Sequence, residues 1–467
     1  MKTRRIVAVI AVAVIAGGGF YTWQALAGLA GIFHTDVPSV VGSLIKGKSG
    51  SKIETNQIAN LQRINIALYG YGGPGHDGEY LTDSIMVISI QPQRDAPPRV
   101  AEISVPRDWY VPIYNGSGQR VDESRINQAY SDGMLYGDGG VVAGQPTAGA
   151  AVADPTLSKL LGIPISYFVG VDFTAFKQAV DAVGGINVDV PVAFTDYMYP
   201  AGECNPGVPS SCAYMTVSFQ TGMQHMDGTT ALEYARSREG DNGQGTDFAR
   251  SQRQQQIVLA LKQQVLSIGG IGKLPALLSA LGGNVLTNLS VDDAEALYDL
   301  VKSVSSASIL HVGLDDTNFL YECGYPTSCG ASYLYAHDST YATVAHFMQN
   351  VFADPRALAE KATVGIEDGT SWNTDPEPST RWSAIFSQLG WTTADLGAAQ
   401  STATTEVIDQ SGGKDAAVAK WFASYFGVPV TTVSPPSPGT AGSTDGVIVI
   451  LGHKEENAFN NDPGYGS

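Results

Sequence analysis

The sequence predicts an α/β fold: a central mixed sheet flanked by helices in an α/β sandwich, a small C-terminal α/β module and an N-terminal transmembrane helix. Three observations lead there. Short Ile/Val-rich runs bounded by turn residues alternate with helical periodicity from residue 64 onward. The composition, 43% hydrophobic and 15% charged over 467 residues, suits a chain that buries large cores in two or three domains. Near the N-terminus, an apolar run from Ile6 to Phe33 is broken mainly by Thr22 and Gln24.

In chain order, Lys2, Arg4 and Arg5 form a cytoplasmic tail (1–5) ahead of the apolar run Ile6–Phe33. That run is long enough to cross about 30 Å of hydrocarbon as a helix, with its cationic flank inside. Ala25-Leu26-Ala27 has the small residues of a signal-peptidase site. The run continues apolar past it to Ile32, so an uncleaved anchor at 6–33 is expected. The expected location is the plasma membrane, single-pass, with the bulk of the chain extracytoplasmic. Residues 34–60, polar and Gly/Ser/Lys-containing, read as a stalk.

The main domain is expected over 61–355. "INIALYG" (64–70), "DSIMVISI" (83–90) and "VAEISV" (100–105) read as strands. "DFTAFKQAVDAVGG" (172–185) carries Phe173, Phe176, Val180 and Val183 at helical spacing and stops at glycines, with strand-like "INVDVPV" behind it. The apolar residues of this segment are expected to pack inward as core.

"ALEYARSREGDNGQGTDFARSQRQQQ" (231–256) places Arg236, Arg238, Arg250 and Arg253 close together in a chain of net charge -18. From Thr246 it reads as a helix, with Thr246 or Asp247 as cap. Arg250 and Gln254, four apart, point the same way. Arg253 lies about 100° round the helix from Gln254 and is expected to tolerate substitution. Arg236 and Arg238, two apart, read as one side of an extended segment. Guanidinium groups converging from these two places form a fork array suited to phosphate or pyrophosphate oxygens. The alternative is a solvated face whose arginines pair with the surplus carboxylates.

Other chemistries lack support. Forty-five Asp and Glu against 27 Lys and Arg argue against a nucleic-acid surface. "GYGGPG" (70–75) lacks the Lys-Ser/Thr ending of a nucleotide loop, and no G-x-S-x-G or H-E-x-x-H occurs. The four cysteines form two close pairs, Cys204 with Cys212 and Cys323 with Cys329. Local disulfides in an oxidising exterior are the natural reading, and a zinc site lacks adjacent histidines.

Beyond 355 the composition shifts. Residues 362–391 and 404–430 share an order of short strand, polar turn and aromatic-bearing helix, a degenerate internal repeat. A module over 356–452 is expected to serve interaction or spacing without catalysis, followed by a disordered tail at 453–467.

Six ordered motifs then carry a resemblance. "TDSIMVISI", "ISVPRDWYVPI", "RINQAYSDG", "LGIPISYFVGVDFTAFKQAVDAVGGINVDVP", "MDGTTALEYARSR" and "TDFARSQRQQQIVLALKQ" resemble the successive signatures of the LytR-CpsA-Psr family over about residues 60–270. The stretch closing with "DGVIVILG" resembles the accessory LytR C-terminal domain. The resemblance implies a membrane-anchored, extracytoplasmic phosphotransferase. It would move a glycopolymer from a polyprenyl-pyrophosphate carrier onto peptidoglycan, forming a phosphodiester. Its partners would be that carrier-linked glycopolymer, peptidoglycan and the membrane, with no nucleic acid.

Carried over by motif, Arg236, Arg238, Arg250 and Gln254 would grip the pyrophosphate, Asp247 would orient them, and Arg107 would join from the sheet. Asp83 matches the family's magnesium-linked carboxylate, which implies Mg²⁺ as cofactor. This chain departs upstream of it: Gly72 and Leu81 stand where the family has an Asp and an Arg. His76, Asp77 or Glu79 would supply the missing ligand or base, and Asp77 is the expected second metal ligand. The competing classes are a non-catalytic wall-polymer or lipid-binding protein and a polyprenyl-pyrophosphate phosphatase. The retained arginines and Asp83 weigh against the first; the second differs only in letting water replace the acceptor hydroxyl.

Overall fold

The computed structural model describes residues 51–74, 76, 78–137, 140–201, 213–267, 285–323, 333–370, 378–433 and 446–456. The chain packs as two units. One comprises the residues up to Arg107, Pro112–Thr156 and Pro164–Ile309; the other comprises Asp108–Val111, Leu157–Ile163 and the residues from Leu310 onward. Among the described residues no helix is long and apolar enough to cross a membrane, and the expected anchor at 6–33 lies outside them. Cys323 is disulfide-bonded; Cys204, Cys212 and Cys329 lie outside the described residues.

In the first unit the Ile/Val-rich runs form β1 (Ile64–Tyr71), β2 (Thr82–Gln91) and β3 (Arg99–Val105), as β-branched side chains favour on a half-buried pleat. A separate pair, β4 (Tyr110–Tyr114) and β5 (Arg120–Arg125), precedes α1 (Asn127–Tyr136) and α2 (Ala148–Leu161). β6 (Tyr167–Asp172) runs into α3 (Phe173–Ala182), and the Asp172 carboxylate caps that helix by accepting the Ala175 N–H at 2.7 Å. β7 (Ile186–Val190), β8 (Phe194–Pro200), β9 (Tyr214–Phe219) and β10 (Gly222–Met226) follow as two antiparallel ribbons, β7 with β10 and β8 with β9. Then come α4 (Gly228–Arg236), α5 (Asp247–Ser267), β11 (Val285–Thr287), α6 (Val291–Val301) and β12 (Ile309–Gly313).

The main sheet has the order β11-β6-β1-β2-β3-β12. β1 pairs antiparallel with β2 and parallel with β6, so the sheet is mixed, as expected. The glycine loop after β1 is held tightly against α3. Gly73 has φ +87°, and a Cβ there would lie 2.8 Å from the Asp172 side chain, so the turn requires glycine.

Part of the expected stalk belongs to this unit. Residues Ile53–Ile58 form a π-helical turn, and Ile53 is fully buried with Ile64, Ile66 and Leu297. The Asp293 carboxylate fixes it, accepting the Ser51 hydroxyl at 2.8 Å and the Ile53 N–H at 3.1 Å. The same carboxylate closes a capping box with Ser290 at the start of α6. Polar composition hid two apolar anchors, Ile53 and Ile58, whose partners are contributed by distant strands and helices.

The second unit contains the hairpin β13 (Leu320–Cys323) and β14 (Tyr333–Ala336), then α7 (Ala342–Gln349) and α8 (Pro355–Ala359). It continues with β15 (Thr363–Asp368), α9 (Pro378–Ser387), β16 (Thr392–Ala398), β17 (Glu406–Asp409), α10 (Ala416–Phe426), β18 (Val430–Thr432), β19 (Val447–Leu451) and α11 (His453–Glu456). Its sheet, β16-β15-β19-β17-β18, holds three parallel pairings, β15 with β16, β17 with β18 and β15 with β19, and the first two are each joined through a helix. Both first strands end in the same turn: Asp368 accepts from Thr370, and Asp409 from Ser411, through backbone and hydroxyl alike. The helices meet through aromatic rings, Phe386 against Phe422 at 4.9 Å and against Tyr425 at 5.1 Å. α11 occupies residues expected to begin a disordered tail. Its first turn is tied back by His453 N–H donating to the Thr402 carbonyl at 3.1 Å.

Asp293 gives a pH-dependent prediction. Burial pushes its carboxyl up, but donors from Ser290, Ile53 and Ser51 outweigh burial and hold it below its ordinary 3.8. A depressed carboxylate contributes stability that is fully present above 3.8 and is lost as pH falls through the lower folded value. Asp293→Asn should cost about 2 kcal/mol at pH 7, and its unfolding curve should approach the wild-type curve as pH falls through the depressed folded value, below the ordinary 3.8. An unchanged gap at low pH would refute this account.

Candidate active site

Helix α4 begins where the Asp227 carboxylate accepts the Thr230 N–H at 2.8 Å. It ends where Ser237 N–H donates to the Glu233 carbonyl at 3.0 Å and Ser237 turns extended, ψ 133°. Arg236 is therefore the last helical residue, not part of an extended segment with Arg238 as the sequence suggested. Its cation lies at the negative end of the helix dipole.

A helix end leaves its last carbonyls without partners in the helix. Here Arg253 supplies them. Its Nε donates to the Tyr234 carbonyl at 2.9 Å, Nη1 to the Gln244 carbonyl at 2.8 Å, and Nη2 to the Ser237 carbonyl. The guanidinium also lies 5.0 Å from the Phe194 ring centre. Arg253 is 1% exposed, and burial pulls its guanidinium down to about 10, still protonated at neutral pH. The expected tolerant surface position is thus a buried brace. Helical spacing gave its angle from Gln254 but not which sides of α5 are covered.

Asp196 of β8 complements Arg253 by taking the backbone donors of the same segment. Its Oδ2 accepts the Ser237 hydroxyl at 2.6 Å and the N–H groups of Arg238 and Glu239 at 3.1 and 3.2 Å, and its Oδ1 accepts the Met198 N–H at 2.9 Å. Burial raises this carboxyl, yet these donors hold it below the usual range, so it stays ionised. Sequence reading passed over Asp196. Its one signal is an acid on the same face of β8 as buried Phe194.

Around this bracket lies a cavity of about 230 Å³. Asp83 lines it from β2; Asp196, Met198, Pro200 and Tyr214 from the β8–β9 ribbon; Arg236 from the last turn of α4, with Arg238 and Glu239 just after it; and Arg250 and Gln254 from α5. Ser84 Oγ donates to Gln254 Oε1 at 2.9 Å, linking the sheet to α5. Arg236 is held by the Phe173 ring, 4.0 Å below its guanidinium carbon, and donates to the Tyr199 hydroxyl at 3.5 Å. Arg250 is buried and Arg238 is exposed.

Five residues singled out from the sequence, Asp83, Arg236, Arg238, Arg250 and Gln254, therefore line one cavity. Arg107 reaches the same place indirectly. The β2–β3 register pairs Ile85 with Val105, so Asp83 and Arg107 face each other just past the ladder and form an ion pair of 2.5 Å. Thr246 is the cap of α5, its hydroxyl accepting the Ala249 N–H at 3.1 Å. Asp247 opens the helix, and its side chain lies outside the described residues, as does Asp77. His76 packs edge-on against Phe173 at 5.2 Å, the ring that supports Arg236.

Mg²⁺ takes one or two carboxylates and completes its shell with substrate phosphates and water; of the acids on the cavity wall, Asp196 is committed to backbone donors, and Asp83, 40% exposed in its side chain, would be the ligand. Among the described residues no group of three or more His, Cys, Asp and Glu could hold a metal.

The bracket predicts a stability effect. Arg253→Ala should lower the melting temperature by several degrees, about 3 kcal/mol, because two buried carbonyls and a partly buried one lose their donor. Arg253→Lys should recover only part of this, since one ammonium cannot reach all three. Melts indistinguishable from wild type would show that Arg253 does not brace the segment.

Comparisons with known proteins agree with the motifs. The LytR_cpsA_psr family model matches residues 41–341. The chain is 28% identical over 289 residues to the polyisoprenyl-teichoic acid–peptidoglycan teichoic acid transferase TagU of Bacillus mycoides, covering 62% of this chain and 79% of that protein. It is 27% identical to the Enterococcus faecalis transferase of the same name, over 61% of this chain and 81% of that protein. The crystal structure of Bacillus subtilis TagV is 25% identical, covers 62% of this chain and 97% of its own, and superposes with a TM-score of 0.45. With ordered motifs from β2 to α5 and a family model spanning most of the chain, this protein belongs to the LytR-CpsA-Psr family.

Proposed function

We propose that this chain is an extracytoplasmic phosphotransferase that moves a glycopolymer from a polyprenyl-pyrophosphate carrier onto a peptidoglycan hydroxyl. The observation that carries the reading is the convergence of Arg236, Arg238 and Arg250 on one small cavity in a chain of net charge -18. A local cationic fork in an acidic protein suits a small polyanion, and a pyrophosphate under attack concentrates negative charge on two adjacent phosphates. The transferases named among its relatives act on a polyisoprenyl-linked polymer and peptidoglycan.

In the reaction the acceptor hydroxyl oxygen bonds to the phosphorus that bears the glycan. The bond from that phosphorus to the bridging oxygen breaks, polyprenyl phosphate departs with the electron pair, and the hydroxyl proton passes to water. Arg236 and Arg238 grip the phosphates from one side, and Arg250 with Gln254 from α5. Asp247 orients the array. Arg107 holds Asp83 at the cavity wall, where Asp83, with Asp77 as its expected companion, would hold Mg²⁺. That ion would offset charge on the phosphates. Arg236 is pre-positioned on Phe173 and Tyr199, so little side-chain freedom is lost on binding.

Arg238→Ala should lose most transfer of a labelled lipid-linked oligosaccharide while its melting temperature stays within a degree or so, because the side chain is exposed. Arg236→Ala should lose transfer too, with a modest fall in stability from the emptied contact on Phe173. Each removes a charge-assisted contact worth about 1.5–3 kcal/mol to binding and more in the transition state. Arg238→Lys should fail substantially, keeping charge but losing the two-pronged geometry. Chelation should abolish transfer and Mg²⁺ restore it. Normal transfer by the alanine variants would return the arginines to an ordinary salt-bridged surface. Release of free glycan phosphate without a phosphodiester product would mark a phosphatase.

The placement outside the membrane has its own test. A reporter fused after Ser467 should be active only outside the cytoplasm. Mass mapping of the exported protein should find Cys204 linked to Cys212 and Cys323 to Cys329. Cytoplasmic reporter activity or free thiols at all four positions would overturn it.

A further inference from the structure

The β8–β9 ribbon does more than wall the cavity. Between Asp196 and Tyr199 its register slips, because Tyr197 and Met198 on β8 stand opposite Thr216 on β9. Up to this bulge the ribbon lies on the core, with Phe194, Asp196, Val217 and Phe219 buried. Past it, Tyr199 turns back to the body and accepts from Arg236, but three successive residues of β9, Tyr214, Met215 and Thr216, are exposed. Successive side chains of a strand point to opposite faces, so β9 is open on both faces at this free end. Tyr197, Met198, Tyr214 and Met215 are 65%, 52%, 51% and 40% exposed there. No residue of 197–201 or 213–216 carries a charge.

From this geometry we infer that the free end of the ribbon is a membrane-insertion arm, whose Tyr197, Met198, Tyr214 and Met215 enter the interfacial layer of the bilayer. The inference rests on the proposed transfer from a polyprenyl carrier, whose chain stays in that bilayer. Three observations select a lipid surface. The first is exposure on both faces: a folded partner seats on one face of a ribbon, whereas a fluid interface surrounds both. The second is chemistry. Exposed methionine and tyrosine gain by leaving water, a tyrosine keeps its hydroxyl at headgroup level, and with no charge at this end no ion has to be desolvated. The third is position. Met198, Pro200 and Tyr214 also line the cavity that contains Arg236, Arg238 and Arg250, so a seated arm brings that cavity to the phosphate layer, which its cations favour. A chain of net charge -18 is otherwise repelled by an anionic leaflet, so its contact has to be local and uncharged.

The test uses the full-length chain reconstituted in vesicles of phosphatidylcholine and phosphatidylglycerol with acyl chains that carry an alkyne tag. A photocrosslinking benzoylphenylalanine is placed at Tyr197, at Met215 or, as the control, at Val121, which is 56% exposed on β5 between Arg120 and Asp122. Tagged lipid adducts should form at Tyr197 and Met215 in about fivefold greater yield than at Val121. Tyr197→Asp and Met215→Asp, in protein that melts like wild type, should raise KM for a long polyprenyl-linked oligosaccharide in the vesicles about tenfold. Transfer from a water-soluble geranyl-linked one should stay within about twofold, because only the first is drawn from the bilayer. Equal adduct yields at the three positions would overturn the arm. Crosslinks to a second protein chain in place of lipid would overturn it too and assign the ribbon to a contact between copies. Equal losses on both substrates would leave the ribbon a support of the cavity and nothing more. Wild-type protein that transfers neither substrate would overturn the phosphotransferase reading, while the adduct yields still decide the arm.

Discussion

The site depends on how one short segment is held. Between the end of α4 and the start of α5 the chain turns sharply and carries Arg236 and Arg238 into the cavity, and such a turn strands both carbonyls and N–H groups. Two buried ions of opposite sign resolve this. Arg253 takes carbonyls of Tyr234, Ser237 and Gln244, while Asp196 takes donors from Ser237, Arg238 and Glu239. Because each buried charge is saturated by backbone groups, neither has to pair with a functional side chain. Neither therefore draws Arg236 or Arg238 away from the cavity wall.

That arrangement also resolves a conflict of charge. Three arginines at one cavity repel one another, and the cavity wall includes Asp83, Asp196 and Glu239 as well. Asp196 is consumed by backbone donors, and Asp83 is occupied by Arg107. Phe173 holds Arg236 through its π face, which orients a cation without neutralising it. The result is a preorganised fork in which little needs to move when phosphates arrive.

The second unit is organised differently. Two parallel β-α-β pairs flank β19, and their helices share a cluster of aromatic rings. Its strands end in matching Asp-x-Thr and Asp-x-Ser turns, where a short acid side chain satisfies backbone donors that the ladder leaves behind. These features account for its folding by local rules.

Much was legible in the sequence because it depends on neighbours along the chain. Ile/Val enrichment between turn residues marks β1 to β3, helical spacing marks α3 and α5, and four-residue spacing puts Arg250 and Gln254 on one face of α5. The ordered motifs identified the family. What only the tertiary structure decided depends on partners far apart in sequence. Arg253 is a brace because Tyr234, Ser237 and Gln244 fold over that side of α5; Asp196 matters because it lies beneath residues some forty positions later. Ser51–Ile58 joins the domain because Asp293, more than two hundred residues away, accepts its donors. Periodicity fixes the angle between side chains on one element, whereas burial is set by what packs against that element, and no local pattern carries that information.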